Sequence, residues 1–237
     1  MTSSAVTPPP VRLADGILVI NLDHRPERLE RFAEMAGPVP QLEGWQRLAA
    51  VNGVELPGYG QAPWFHHRQR DKCWAGRAGC TLSHRKAIEH ARDMGWDRVL
   101  ILEDDVQVGP TFEADAADFI AAMAGGEEWD VCYLGASKPV GPCRKIGDLH
   151  GARALYQIFG CNGTFAYLMK RTAFEWVLAN LPTTDSVCRG SISTARSTVG
   201  MPGTCPAASA CRRCPPISSA TTPASPTSAS GPGPTLA

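Results

Sequence analysis

Three adjacent carboxylates, Glu103-Asp104-Asp105, directly follow the apolar run Val99-Leu100-Ile101-Leu102. Neighbouring anions repel one another and call for a counter-charge, most simply a hard divalent cation with oxygen ligands, Mg2+ or Mn2+. The apolar run reads as a strand buried on both faces. In an open α/β sheet, ligands gather beyond the carboxyl ends of the strands, which is where the triplet falls. In extended geometry Glu103 and Asp105 point to one side and Asp104 to the other. One pair can then grip a metal while the third carboxylate accepts a hydrogen bond from a sugar or ribose hydroxyl. A solvated acidic turn is the competing reading of the triplet alone.

A second group of chemically capable residues lies upstream, in Gly79-Cys80-Thr81-Leu82-Ser83-His84. Spacing predicts that a helix opens near Gly79, with His84, Ala87, Ile88, Ala91 and Met94 on one face and Gly95 as its C-cap. Gly79 lacks a Cβ where chain or ligand must approach closely, and unpaired N–H groups at such a helix start favour an anion such as a diphosphate. Ser83 reads equally as a capping hydroxyl, and His84 as a core histidine held by hydrogen bonds.

The elements that must position these groups are legible from pattern. Ile17 to Ile20 predicts a buried strand ending in Asn21-Leu22-Asp23, followed by a helix with Pro26 in its first turn and Leu29, Phe32 and Ala33 on its apolar face. Arg25, Arg28 and Arg31 lie opposite. Beyond the triplet, Phe112 to Met123 predicts a helix, Val131 to Leu134 a strand, Thr164 to Met169 a strand and Thr172 to Ala179 a helix. Strands alternating with helices imply an open, largely parallel α/β sheet.

Composition divides the 237 residues in two. Every acidic, histidine and aromatic residue lies at or before Asp185, so the first 185 residues carry a net charge of −4 and the last 52 carry +4. Such a body, without a dense Lys/Arg stripe, argues against nucleic acid as a partner. The expected organisation is a disordered leader over residues 1–10, a folded domain over 11–185 and a low-complexity tail over 186–237. In the tail, 38 of 52 residues are Ser, Thr, Pro, Ala or Gly. Such a segment buries too little apolar surface to fold. Its abrupt onset, with Cys and Arg scattered through it, also matches a GC-rich coding region read out of frame. Permissible codons for Ile192 through Gly203 allow a shifted reading that contains Val-Asp-Arg-Trp-Tyr. Cys73, Cys80, Cys132, Cys143 and Cys161 are widely spaced without a Cys-x-x-Cys, as expected of reduced thiols. Apolar runs are far shorter than a membrane span and no secretory signal is visible, so the expected location is the cytoplasm, including the inner face of an inner membrane, with at most peripheral association.

Taken in order, Val19-Ile20-Asn21-Leu22-Asp23 with Arg25, Glu27 and Arg28, then Ala50-Val51-Asn52-Gly53, Gly79 to His84, and Leu100 to Val106 resemble glycosyltransferase family 25. Trp129-Asp130 with Leu134-Gly135, and Gly163 to Tyr167, are similar to later blocks of that family. The resemblance covers about residues 15–182. It implies a GT-A type nucleotide-diphospho-sugar fold and a divalent metal held by Glu103 and Asp105. It also implies inverting transfer of a hexose, often galactose from UDP-galactose, to a glycan such as a lipopolysaccharide, lipooligosaccharide or other lipid-linked acceptor. Asn21, Arg25, Arg28, Gly79, Ser83, His84 and Asp104 are the expected donor-binding residues, the guanidinium groups being suited to phosphate. The base that inverting transfer requires is not assigned; Asp130 and Asp185 are its candidates. Trp64, Phe65, His66, His67 and Trp74 read as an acceptor-side loop or as packing. Two rival expectations remain: a non-catalytic nucleotide-sugar-binding remnant and, disfavoured by the lack of a second metal site, a phosphoesterase.

Overall fold

The computed structural model describes residues 11–60, 68–124, 129–135, 138–149, 153–188 and 218–219. The expected leader, the segment Trp64 to His67 and nearly all of the expected tail lie outside the described residues. Chain order is β1 (Gly16–Asn21), α1 (Pro26–Ala36), β2 (Gln46–Ala49), α2 (Arg68–Asp93), β3 (Arg98–Glu103), β4 (Val106–Gln107), α3 (Phe112–Ala124), β5 (Val131–Gly135), β6 (Lys138–Leu149), β7 (Arg153–Asn162), β8 (Ala166–Lys170), α4 (Arg171–Asn180), α5 (Thr184–Cys188) and β9 (Ser218–Ser219).

A five-stranded sheet of order β2-β1-β3-β8-β5 forms the centre. β1 pairs in parallel with β2 and β3, whereas β8 runs antiparallel to both β3 and β5. The sheet is therefore mixed: β2, β1, β3 and β5 run one way, and β8 between β3 and β5 runs against them. The physical reason is the antiparallel ribbon of β6 and β7, which pairs Lys138–Leu149 with Arg153–Asn162 apart from the central sheet and returns the chain into β8. Its sequence does not announce it: Pro139, Gly141, Pro142 and Gly147 interrupt β6, the register shifts twice, and neither strand alternates cleanly between apolar and polar residues.

The pleat of β3 distributes the core. Leu100 and Leu102 pack with Phe32, Phe112 and Phe119 on the face carrying α1 and α3. Val99 and Ile101 pack with Ala87, Ile88, Ala91 and Phe174 on the face carrying α2 and α4. Each Val, Leu, Ile or Phe side chain among these contributes about 1.5–3 kcal/mol when removed from water, so the central strand is fixed from both sides. α1 buries Phe32 and Ala36, one turn apart, while Ala33, expected on the buried face, is exposed. Gly95 ends α2 with φ +77°, the left-handed conformation its position as a C-cap demands.

α2 differs most from its expected form. It begins at Arg68 and passes through Gly79 without interruption to Asp93. Gly79 is consequently a mid-helix residue. At the other end of the body, α5 carries the helical chain to Cys188, and Val187 packs against Leu56, Ala78 and Leu82. Ser218–Ser219 pairs antiparallel with β4. Among the described residues, no helix is long and apolar enough to cross a membrane.

Candidate active site

The carboxyl ends of β1 and β3 are adjacent and parallel, and this brings Asn21 and the acidic triplet together. Asn21 is buried, and its side chain is saturated by its surroundings. Nδ2 donates to Asp104 Oδ2 at 2.7 Å and to the Arg25 carbonyl at 2.9 Å, while Oδ1 accepts from Arg47 Nε at 3.0 Å. An amide with both donor hydrogens engaged positions its neighbours rather than offering itself to a ligand. It holds Asp104, whose side chain is only 10% exposed, and fixes the β1–α1 turn.

Arg28, on the first turns of α1, supplies the positive charge. Its Nη1 lies 3.1 Å from Asp104 Oδ1 and 3.3 Å from Asp105 Oδ2. The two acids hold the guanidinium above its ordinary pKa, although its burial opposes the charge. Arg25 lies outside this cluster: its exposed guanidinium approaches Glu27 at 3.8 Å. Arg47, on β2, ties Asn21 to the exposed Asp23. Sequence reasoning missed Arg47, since its strand is four residues long and only Leu48 of it is fully buried.

The triplet does not divide as strand alternation predicts. β3 ends at Glu103, and Asp104 and Asp105 occupy the turn that follows. Asp105 therefore joins Asp104 at Arg28, while Glu103 faces α2, with Oε1 3.5 Å from His84 Nε2. Asp105 Oδ1 is a buried oxygen without a hydrogen-bond partner. Burial pushes the Asp105 carboxyl upward and Glu103 adds to it, with Arg28 opposing. A buried, unsatisfied carboxylate oxygen under repulsion from a second carboxylate is what a hard cation would relieve, so Asp105 Oδ1 fits a divalent metal, while Glu103 faces α2 instead of completing a shared set with it.

His84 is 1% exposed. Its Nδ1 lies 3.0 Å from the Tyr167 hydroxyl and its Nε2 3.4 Å from Thr164 Oγ1. Burial works against its positive form, yet Tyr167, Cys80 and Glu103 around it hold its pKa well above the usual imidazole value. Nothing in the local sequence singles out Cys80, one turn before His84, as more than a thiol, or Thr164 and Tyr167 as more than parts of a strand and block.

Ser83 and Gly79 serve the backbone. Ser83 Oγ donates to the Gly79 carbonyl at 2.7 Å and accepts from the Val51 amide at 2.8 Å. It is a tie between α2 and the preceding loop, not an N-cap. A Cβ on Gly79 would stand 2.5 Å from the Val51 carbonyl oxygen. The close approach that Gly79 permits is thus to the chain itself, and the expected diphosphate site at a helix start there is absent because the helix starts at Arg68. Asp130 accepts from Thr172 Oγ1 at 2.9 Å, and its carbonyl accepts from the Lys170 amide. Across β8, it is level with the amino end of β3, about 16 Å along the strand direction from Glu103 at the usual rise per residue. Asp185 is exposed in the first turn of α5. Trp74 packs near Leu56 and Leu82 with the Arg77 guanidinium 5.2 Å from its ring centre. Cys80, Cys132, Cys143, Cys161 and Cys188 are free thiols, and burial pushes the Cys161 thiol up to about 12.

A family profile described as glycosyltransferase family 25 (LPS biosynthesis protein) matches residues 14–137, which include β1, α1, α2, β3 and the whole acidic triplet. A glycosyltransferase 25 family member of Drosophila pseudoobscura pseudoobscura is 32% identical over 147 residues, 56% of this chain and 22% of that protein. The human inactive glycosyltransferase 25 family member 3 is 32% identical over 180 residues, 71% of this chain and 29% of that protein. Procollagen galactosyltransferase 1 of Danio rerio is 27% identical over 136 residues, 52% of this chain and 22% of that protein. The matched stretches span less than a third of these curated relatives.

Proposed function

The chain belongs to glycosyltransferase family 25, and on that premise we propose that its body is a metal-dependent hexosyltransferase that takes a nucleotide sugar, UDP-galactose first among them, as donor and a surface glycan as acceptor. The observation that carries the reading is the buried Asp105 Oδ1 without a partner, at the carboxyl edge of the sheet and inside the family-matched segment. A Mn2+ or Mg2+ ion would be held through Asp105, and when bound it supplies positive charge to the diphosphate leaving group; the expected pairing of Asp105 with Glu103 on that ion is not kept, because Glu103 faces α2. Asn21 and Arg28 keep Asp104 in a fixed orientation, from which it can accept a hydrogen bond from a donor hydroxyl. Arg28 stands where a phosphate can share its guanidinium.

The description of the family profile supports a lipopolysaccharide acceptor, and the fish relative's name supports galactose as the sugar. The proposal extends to a GT-A type arrangement and to action at the cytoplasmic side of a membrane on a lipid-linked glycan. Inverting transfer needs a base for the acceptor hydroxyl. Asp130, near the opposite end of β3, is withdrawn as that base, and Asp185 stays a candidate.

A second reading has a specific observation in its favour: the human relative that matches 71% of this chain is named inactive. In that reading the chain binds a nucleotide sugar without transferring it. Calorimetry with UDP-galactose, with and without Mn2+, tests the shared premise. Affinity should rise with Mn2+ and the rise should vanish in Asp105→Ala; equal affinity under all conditions refutes both readings. Release of UDP in the presence of a glycan acceptor then separates transfer from binding alone.

A further inference from the structure

A second cluster of ligand-forming atoms lies on the other face of β3, and the proposed transfer uses neither its cysteine nor its histidine. Cys80 and His84 are one turn apart on α2, so their side chains project from the same face of the helix toward Glu103 at the end of β3. One atom from each residue, Cys80 Sγ, a His84 ring nitrogen and a Glu103 carboxylate oxygen, lies within 4.8 Å of the other two. We propose that Cys80, His84 and Glu103 form a binding site for a borderline-soft divalent ion of the zinc class.

Three features support the assignment. The first is spacing. His84 Nε2 and Glu103 Oε1 are 3.5 Å apart. A charge-assisted hydrogen bond closes to about 2.7–2.9 Å. Two ligands on one tetrahedral zinc ion, each bonded at about 2.0–2.2 Å, stand about 3.4 Å apart. The observed gap matches two ligands of one ion; on its own it is a loose histidine–carboxylate contact. The second is the support behind the ring: Tyr167 engages Nδ1 at 3.0 Å, which orients the imidazole with Nε2 toward Glu103, where only the long 3.4 Å contact of Thr164 Oγ1 competes, as an outer hydrogen bond does for a ligating histidine. The third is ligand type. Thiolate and imidazole select zinc-class ions over Mg2+ or Mn2+, whereas Asp105 on the opposite side offers only hard oxygen. Cys80 is exposed while His84 is buried, so the ion enters from the Cys80 side and leaves a position open there.

The site goes beyond the donor reading, which rests on Asp105, and it uses Glu103 on the α2 side where the structure places it. The test uses the full chain carrying Cys211→Ser and Cys214→Ser, because Cys211-Arg-Arg-Cys214 is itself a spacing capable of binding metal. Titration with Co2+ alone should give one equivalent bound, with thiolate-to-metal charge-transfer absorption, and Zn2+ should displace it. Cys80→Ser should abolish that absorption and weaken Zn2+ at least tenfold; His84→Gln should weaken it as much. If His84→Gln does not fold, the exposed Cys80→Ser decides. Absence of the absorption, or its persistence in Cys80→Ser, overturns the proposal. Mn2+-dependent UDP-galactose binding, measured in parallel with Asp105→Asn, reports on the donor reading separately.

Discussion

Gly79 in the middle of α2 and Gly53 in the loop after β2 lie backbone against backbone: a Cβ on Gly79 would stand 2.8 Å from the Gly53 amide nitrogen, and one on Gly53 would stand 1.7 Å from the Ala75 carbonyl oxygen. Neither neighbour is the end of a flexible side chain, so the clash has no cheap relief. Gly79→Ala should therefore lose about 3 kcal/mol, at the upper end of ordinary overpacking costs. Gly76, in the same helix, has nothing within 4 Å of its would-be Cβ. Gly76→Ala should gain about 0.5–1 kcal/mol from reduced backbone entropy. Urea unfolding of the two variants checks both signs in one helix.

The same pair shows where sequence reading succeeds and where it stops. The runs Ile17 to Ile20 and Val99 to Leu102 are continuous apolar segments of strand length, and both are strands, with Glu103 at a strand end as expected. The start of α2 was misplaced because Gly79 looks like a boundary when only local propensity is weighed. Its reason for being glycine is a contact with residues 51–53, which no local pattern encodes. The partition of the triplet failed for a related cause: alternation holds only while the strand lasts, and β3 ends at Glu103. The pairing of Asn21 with Asp104, 83 positions apart, follows from β1 and β3 being adjacent and parallel. His84 and Tyr167 meet only because β8 runs antiparallel beside β3, and that reversal depends on the ribbon of β6 and β7, which the sequence does not announce.

Arg28 is the cation that faces both Asp104 and Asp105, and the pair distances of 3.1 and 3.3 Å make it the local counter-charge. Arg28→Ala should cost about 1–2 kcal/mol near neutral pH, discounted from the value of a buried charged hydrogen bond because the guanidinium is about a third exposed. Added Mn2+ should restore part of the loss, since it neutralises the same carboxylates. Urea midpoints with and without Mn2+ measure this, and a deficit unchanged by the ion would count against a cation site at Asp105.

Asp105 gives a pH dependence with a definite sign. Its folded pKa lies above the ordinary carboxylate value, with burial the largest cause and Glu103 next. The fold therefore binds this proton more tightly than the unfolded chain does. The group's favourable contribution is complete below the ordinary carboxylate value and is lost as pH rises through the folded one. Asp105→Asn removes the loss. In metal-free buffer the variant should have a higher urea midpoint than the parent at neutral pH, with the gap closing in acid. Its Mn2+-dependent UDP-galactose binding should disappear at the same time. A variant less stable than the parent at neutral pH would contradict the orphan-charge reading.

Val187 lies inside the expected tail, 186–237, yet belongs to the packed body. It is 1% exposed and packs with Leu56, Ala78 and Leu82, next to the Val51–Gly53 loop that Ser83 ties to α2. Val187→Ala should cost about 1–2 kcal/mol, the worth of the buried methyl groups plus an incompletely collapsed cavity. Ending the chain after Pro182 removes α5 altogether and should cost more than Val187→Ala. Ending it after Cys188 should leave thermal stability close to that of the full chain. Of the segment removed, the described part is a two-residue ladder between Ser218–Ser219 and β4, and the segment's composition holds no aromatic or acidic residue with which to build a core. The proposal of a shifted reading frame adds a functional arm: a frame-restored chain bearing Val-Asp-Arg-Trp-Tyr should transfer sugar faster than the chain as it stands. If ending the chain after Cys188 lowers the melting temperature as much as removing α5 does, or abolishes a transfer rate that matches the frame-restored chain, the tail belongs to the working fold and the frame proposal fails.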